Sequence, residues 1–187
     1  MTTAPASPPR TYTAEEFLKL PMAKLYELLD GELVRRSMSK RSAGVITAII
    51  GLFYAYVTAG RLGFLFDSSI GMRIFPDRPD HVPRPDMAYV RRERLPGGYG
   101  SGGYLEIVPD FIVEVVSRGD NALALGQKLL EYRQVGVPLI WIVYPELRTV
   151  HVIRENGPEV TFAVGQRLDA EPAVPGFSCA VAEIFAE

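Results

Sequence analysis

The sequence predicts an α/β fold of the α+β kind: a mixed β-sheet with helices on its faces and a hairpin added at each end. Three observations predict it. Apolar runs at 86–90, 109–117 and 138–145 have the length of buried strands. Two longer stretches, 40–59 and 121–135, read as helices. The dipeptides Asp30-Gly31 and Asn156-Gly157 each split a pair of alternating runs, which marks a hairpin.

Taken in order, residues 1–12 are polar and proline-rich and read as a disordered tail, leaving a single domain over 13–187. Thr13, with Glu16 three positions on, makes a capping box that opens a short helix. The first hairpin covers 25–37. The stretch 40–59 reads as a buried helix of a soluble protein, because Gly44, Gly51, two threonines and two tyrosines interrupt it; no membrane span is expected. Residues 61–75 read as two strands, or one strand bent around Ser68–Gly71. Four prolines make 76–85 a loop. A short strand, 86–90, starts directly after Pro85, and the glycine-rich 95–105 is a loop without the ending a phosphate cradle needs. The strand 109–117 is apolar on both faces, as a central strand is. Asp120 can cap the helix 121–135, which stops at Gly136. Strand 138–145, a hairpin over 149–165 and a short C-terminal helix complete the chain.

The formal net charge of −2 is not the basic footprint of a stand-alone nucleic-acid binder. Contact with DNA would have to be local, transient, or helped by metal ions that offset phosphate charge. Two local basic clusters exist, Arg35, Arg36, Lys40 and Arg41, and then Arg91, Arg92 and Arg94; their plainest reading is solvated loop and strand ends. The single cysteine, Cys179, excludes an intrachain disulfide and a cysteine zinc site and fits a cytoplasmic location. His81 and His151 stand in no ligand spacing, and Ser117 has neither a histidine partner nor a nucleophile elbow. Zinc hydrolases and Ser-His-Asp enzymes are therefore set aside.

One residue breaks the pattern of strand 109–117. Glu114 places a carboxylate among apolar residues, which costs several kcal/mol unless it is paired, hydrogen-bonded or bound to a metal. Asp86 begins the preceding strand, so if the two strands pair, both acids lie on one face. Two carboxylates so placed repel unless a cation sits between them, and a hard divalent ion with oxygen ligands, Mg²⁺ or Mn²⁺, answers that need. Lys128 flanks the apolar stripe Ala122, Leu125, Leu129 and Tyr132 of the following helix. Its ammonium can reach past the strand ends; it is equally a snorkelling lysine or the structural partner of Glu114. Gln127 could orient a water, or be a solvated helix residue.

At these residues the chain resembles a known group. "YELLDGELV", "RPDMAYV" and "DFIVEVVSRGD", followed by Lys128, "EY" and "GVPLIWIV", are similar in order and spacing to the Uma-type restriction endonuclease family, long carried as a domain of unknown function, within the PD-(D/E)XK nuclease superfamily. The resemblance covers about residues 11–185. It implies a restriction endonuclease-like fold and an Mg²⁺-dependent (or Mn²⁺-dependent) endonuclease that hydrolyses DNA phosphodiester bonds with a metal-activated water. It implies Asp86 and Glu114 as metal ligands, the Val115 carbonyl as a third, and Lys128 as the catalytic lysine moved to the helix, since Val116 holds the usual lysine place. Gln127 would be an accessory, as would an earlier acid, Glu32 ahead of Glu27 because the register of Glu27 is not set by the sequence. DNA is the implied partner, and cutting both strands of a duplex implies a homodimer. Two departures stand out: "MSKRSAG" lacks the histidine that family members commonly carry there, and Tyr144 in "WIVYP" replaces an acid.

Three accounts are therefore open: a metal-dependent nuclease, a nuclease-fold protein that only binds nucleic acid or protein, and a purely structural Glu114–Lys128 pair with Asp86 capping a turn.

Overall fold

The computed structural model describes residues 10–186. Of the tail expected over 1–12, residues 1–9 lie outside that range. Tyr12 is tied down: its N–H donates to the Gly31 carbonyl at 2.8 Å. Helix α1 (Ala14–Leu18) opens with the expected capping box at Thr13. Strands β1 (Tyr26–Leu29) and β2 (Glu32–Arg35) pair as a two-stranded hairpin. Asp30 and Gly31, at φ 50° and 85°, form its turn, a left-handed pair that this dipeptide tolerates.

Helix α2 (Lys40–Gly60) follows a Ser39 cap. It was expected to be buried, but its fully buried residues form one stripe, Ser42, Val45, Ile49, Phe53 and Val57, with Ile46, Ile50 and Leu52 half-buried beside it, and Tyr54 is exposed. Its length and composition alone would allow it to cross a membrane, although one apolar stripe is spent on the core. Strand β3 (Gly63–Asp67) is single; the chain then leaves the sheet, and Met72 bridges to Leu105. Strands β4 (Met87–Arg91) and β5 (Phe111–Val115), helix α3 (Ala122–Gln134) and strands β6 (Leu139–Tyr144), β7 (Thr149–Arg154) and β8 (Val160–Ala163) make the centre. Strands β9 (Arg167–Asp169) and β10 (Ser178–Ala180) pair separately, and α4 (Val181–Ile184) ends the fold.

The main sheet is mixed, in the order β3-β4-β5-β6-β7-β8. Only β5 and β6 run parallel, which is why the long crossover α3 joins them, and the hairpin β7–β8 continues the sheet beside β6. The two faces of the sheet bury separate clusters. One packs α2, α4 and the C-terminal segment around Phe53, Phe111, Trp141 and Phe177. The other packs α3 through Tyr132, Leu125 and Leu129 onto Ile112, Ile140 and Ile142, the face from which Glu114 also projects.

Candidate active site

Asp86 and Glu114 share that face. Met87 pairs with Val113 in antiparallel register, and the Asp86 N–H donates to the Val113 carbonyl at 3.1 Å. Continuing the register by one residue sets Asp86 opposite Glu114, where cross-strand side chains project the same way. Both are buried and line one cavity of about 480 Å³ between α3, the β1–β2 hairpin and the ends of β4 and β5.

Each acid is already engaged. Asp86 accepts from Arg36 Nη2 at 2.9 Å on Oδ1 and from the Val115 N–H at 2.8 Å on Oδ2. Glu114 Oε1 accepts from the Tyr132 hydroxyl at 2.8 Å and lies 2.9 Å from Lys128 Nζ. Lys128 Nζ lies equally 2.9 Å from Glu27 Oε1, which also accepts the Arg84 N–H at 2.6 Å. One ammonium thus joins an acid of the hairpin to an acid of the sheet. Tyr132, one helical turn beyond Lys128, reaches the same carboxylate because residues four apart share a helix face.

The charges do not balance. Three carboxylates, Glu27, Asp86 and Glu114, face two cations, Arg36 and Lys128. The cavity as a whole is lined by seven acidic and five basic side chains. Burial pushes the Glu114 carboxyl up to about 7; Lys128 opposes this, and Asp86 and Glu27 add to it. Burial likewise raises Asp86 against the Val115 N–H and Arg36. For Glu27 burial is outweighed by Lys128 and the Arg84 N–H, and its carboxyl stays below the usual range. Burial works against charge on Lys128 too, but Glu114 and Glu27 prevail and hold it well above the ordinary lysine value.

The structure brings together Asp86, Glu114, Lys128 and Glu27, and leaves Glu32 and Gln127 exposed at the cavity rim. This reverses the expected order of the two hairpin acids. The register pairs Glu27 with Val34 and Leu29 with Glu32, so both acids face the cavity; Glu27 is buried, whereas Glu32, beside the Asp30-Gly31 turn, stays exposed. Val115 lines the cavity through its backbone, while its side chain belongs to the opposite core. Asp120 does not cap α3. Asn121 does, through Oδ1, and Asp120 instead accepts the Ser117 N–H at 2.7 Å. Ala122, expected in the packed stripe of α3, is exposed. At the start of α2, in the segment noted for lacking a histidine, Ser42 is buried and bonds Ser117 Oγ at 2.9 Å. Sequence reasoning missed Arg36 as a partner of Asp86. It also missed a second cluster lining the same cavity, where Arg78 joins Asp30, Glu131 and buried His81.

The donor set suits a hard divalent cation: all oxygen, from three carboxylates that carry one negative charge in excess of Arg36 and Lys128 when all are ionised. Among the described residues no three such side chains already converge on a common point. Arg36 and Lys128 hold the facing oxygens.

The model of the Uma2 family, described as "putative restriction endonuclease", matches residues 14–182. The chain belongs to this family. A crystal structure described as a putative nuclease belonging to DUF820, from Anabaena variabilis ATCC 29413, superposes with a TM-score of 0.78 at 20% identity, covering 93% of this chain and 97% of that one. At that identity the likeness carries the fold, a restriction endonuclease-like mixed sheet. No curated protein matches. In this Uma2 chain the acids and the lysine that carried the resemblance line a single cavity.

Proposed function

We propose that the chain is a divalent-cation-dependent endonuclease that hydrolyses phosphodiester bonds of DNA in the cavity beneath α3. What supports this is a cluster of three carboxylates around one half-buried lysine, with one negative charge in excess when all three are ionised, in a chain of this family. Asp86 and Glu114 would hold Mg²⁺ or Mn²⁺, with Glu27 and the Val115 carbonyl beside them. The bound ion would polarise a phosphoryl oxygen and acidify water. Lys128 stays protonated, so it can stabilise negative charge building on the phosphate but cannot accept a proton. Tyr132 and the Val115 N–H fix the orientation of the two acids before substrate arrives. Gln127, exposed at the rim, would be an accessory that orients a water or a phosphate oxygen.

The test is nicking of supercoiled plasmid by the purified protein with and without Mn²⁺. Wild type should cut only with the ion, and Asp86→Ala, Glu114→Ala and Lys128→Ala should each fall by about 10²-fold or more. Wild type that cuts no better than these variants sinks the proposal. A second reading, a nuclease-fold binding protein, is favoured by one observation: Arg36 and Lys128 already give each of the three clustered acids a partner. It requires no ion, so calorimetric titration with Mn²⁺ separates the two.

A further inference from the structure

We propose that Arg36 is a built-in occupant of the ion site, a tethered cation on Asp86 that a divalent ion must displace in order to bind. This rests on the cation-dependent reading above and assigns a residue within it. Both oxygens of Asp86 are committed, Oδ2 to the Val115 N–H and Oδ1 to the Arg36 guanidinium at 2.9 Å. The first partner is backbone in the centre of the sheet and cannot leave. The second hangs on a long stem. The Arg36 backbone is anchored, its N–H bonded to the Leu25 carbonyl at 2.9 Å, but its side chain ends at the wall of the open cavity, 15% exposed. The guanidinium can therefore swing away without disturbing the hairpin. An ion on Oδ1 would meet the guanidinium at close range, and two positive groups so near each other repel in a partly desolvated pocket, so the ion binds at the guanidinium's expense. Lys128 differs: it is braced by two carboxylates from two elements and has no comparable freedom. Arg35, next in the chain, lines the same cavity but is exposed, so its charge is screened by solvent.

The test is calorimetric titration of Mn²⁺ into wild type, Arg36→Gln, Arg36→Met and Arg35→Gln, with folding of each checked by circular dichroism. Either neutral variant at 36 should bind Mn²⁺ about tenfold more tightly than wild type, and Arg35→Gln should stay within about twofold. Two neutral replacements are used so that a folding failure in one leaves the other. Equal affinities in wild type and the variants at 36, or a gain in Arg35→Gln as large as theirs, overturn the role of Arg36 and leave the ion site standing. If none of the four proteins binds Mn²⁺, the cation-dependent reading itself falls, and this inference with it.

Discussion

Replacing Glu114 with glutamine separates two accounts of why a carboxylate is buried there. The native carboxyl titrates at about 7, against 4.5 for an ordinary glutamate. Between those values the native state binds more protons than the unfolded chain, so stability falls as pH rises across the window. Without divalent ions, Glu114→Gln should therefore gain thermal stability relative to wild type as pH is raised from 5 to 8. If the glutamine variant instead loses ground over that range, the Lys128 pair is a net stabiliser and Glu114 is structural. Glu114 could be singled out from sequence because it is charged in an apolar frame, Asp86 because it follows a proline at a strand start, and Lys128 because it flanks a helical stripe. Glu27 and Arg36 could not be ranked this way. Both lie on a hairpin whose position over the sheet is set by tertiary packing, through Val82, Phe17 and Tyr104.

Among the elements, strand β3 at the sheet edge is held by a close approach that only glycine permits. A Cβ on Gly63 would stand 2.3 Å from the Val90 carbonyl and 2.6 Å from the Tyr89 ring. Gly63→Ala should cost about 2–3 kcal/mol and lower the melting temperature by about 5–10 °C. A melting curve unchanged from wild type would mean that the edge strand adjusts freely. The elements most legible in sequence were those with local chemistry. The Thr13 capping box and the Asp30-Gly31 turn fall where their residues put them, because every interaction involved lies within four positions. The start of α3 was displaced by one residue because Asp120 and Asn121 are both competent caps, and only the folded turn from β5 decides between them. The exposed side of α2 was missed because hydropathy reports composition, and burial depends on what lies opposite.

For the molecule as a whole, two apolar clusters share one sheet, so neither can lose its packing without exposing the back of the other. Thermal or urea unfolding should thus be a single transition. Trp141, the only tryptophan, is fully buried against Phe53 and Phe111, so its fluorescence should change together with far-UV circular dichroism. Separate midpoints for the two signals would argue for two folding units. Repeating the melt at rising protein concentration tests the homodimer expected of an enzyme that cuts both strands, since a dimer's midpoint climbs with concentration and a monomer's does not. The ammonium shared between Glu27 and Glu114 also orders events in time. During synthesis the three acids emerge first and their lysine last. A chain still short of residue 128 has Asp86 and its Arg36 but lacks the ammonium that joins Glu27 to Glu114, so the cluster cannot close until α3 has emerged.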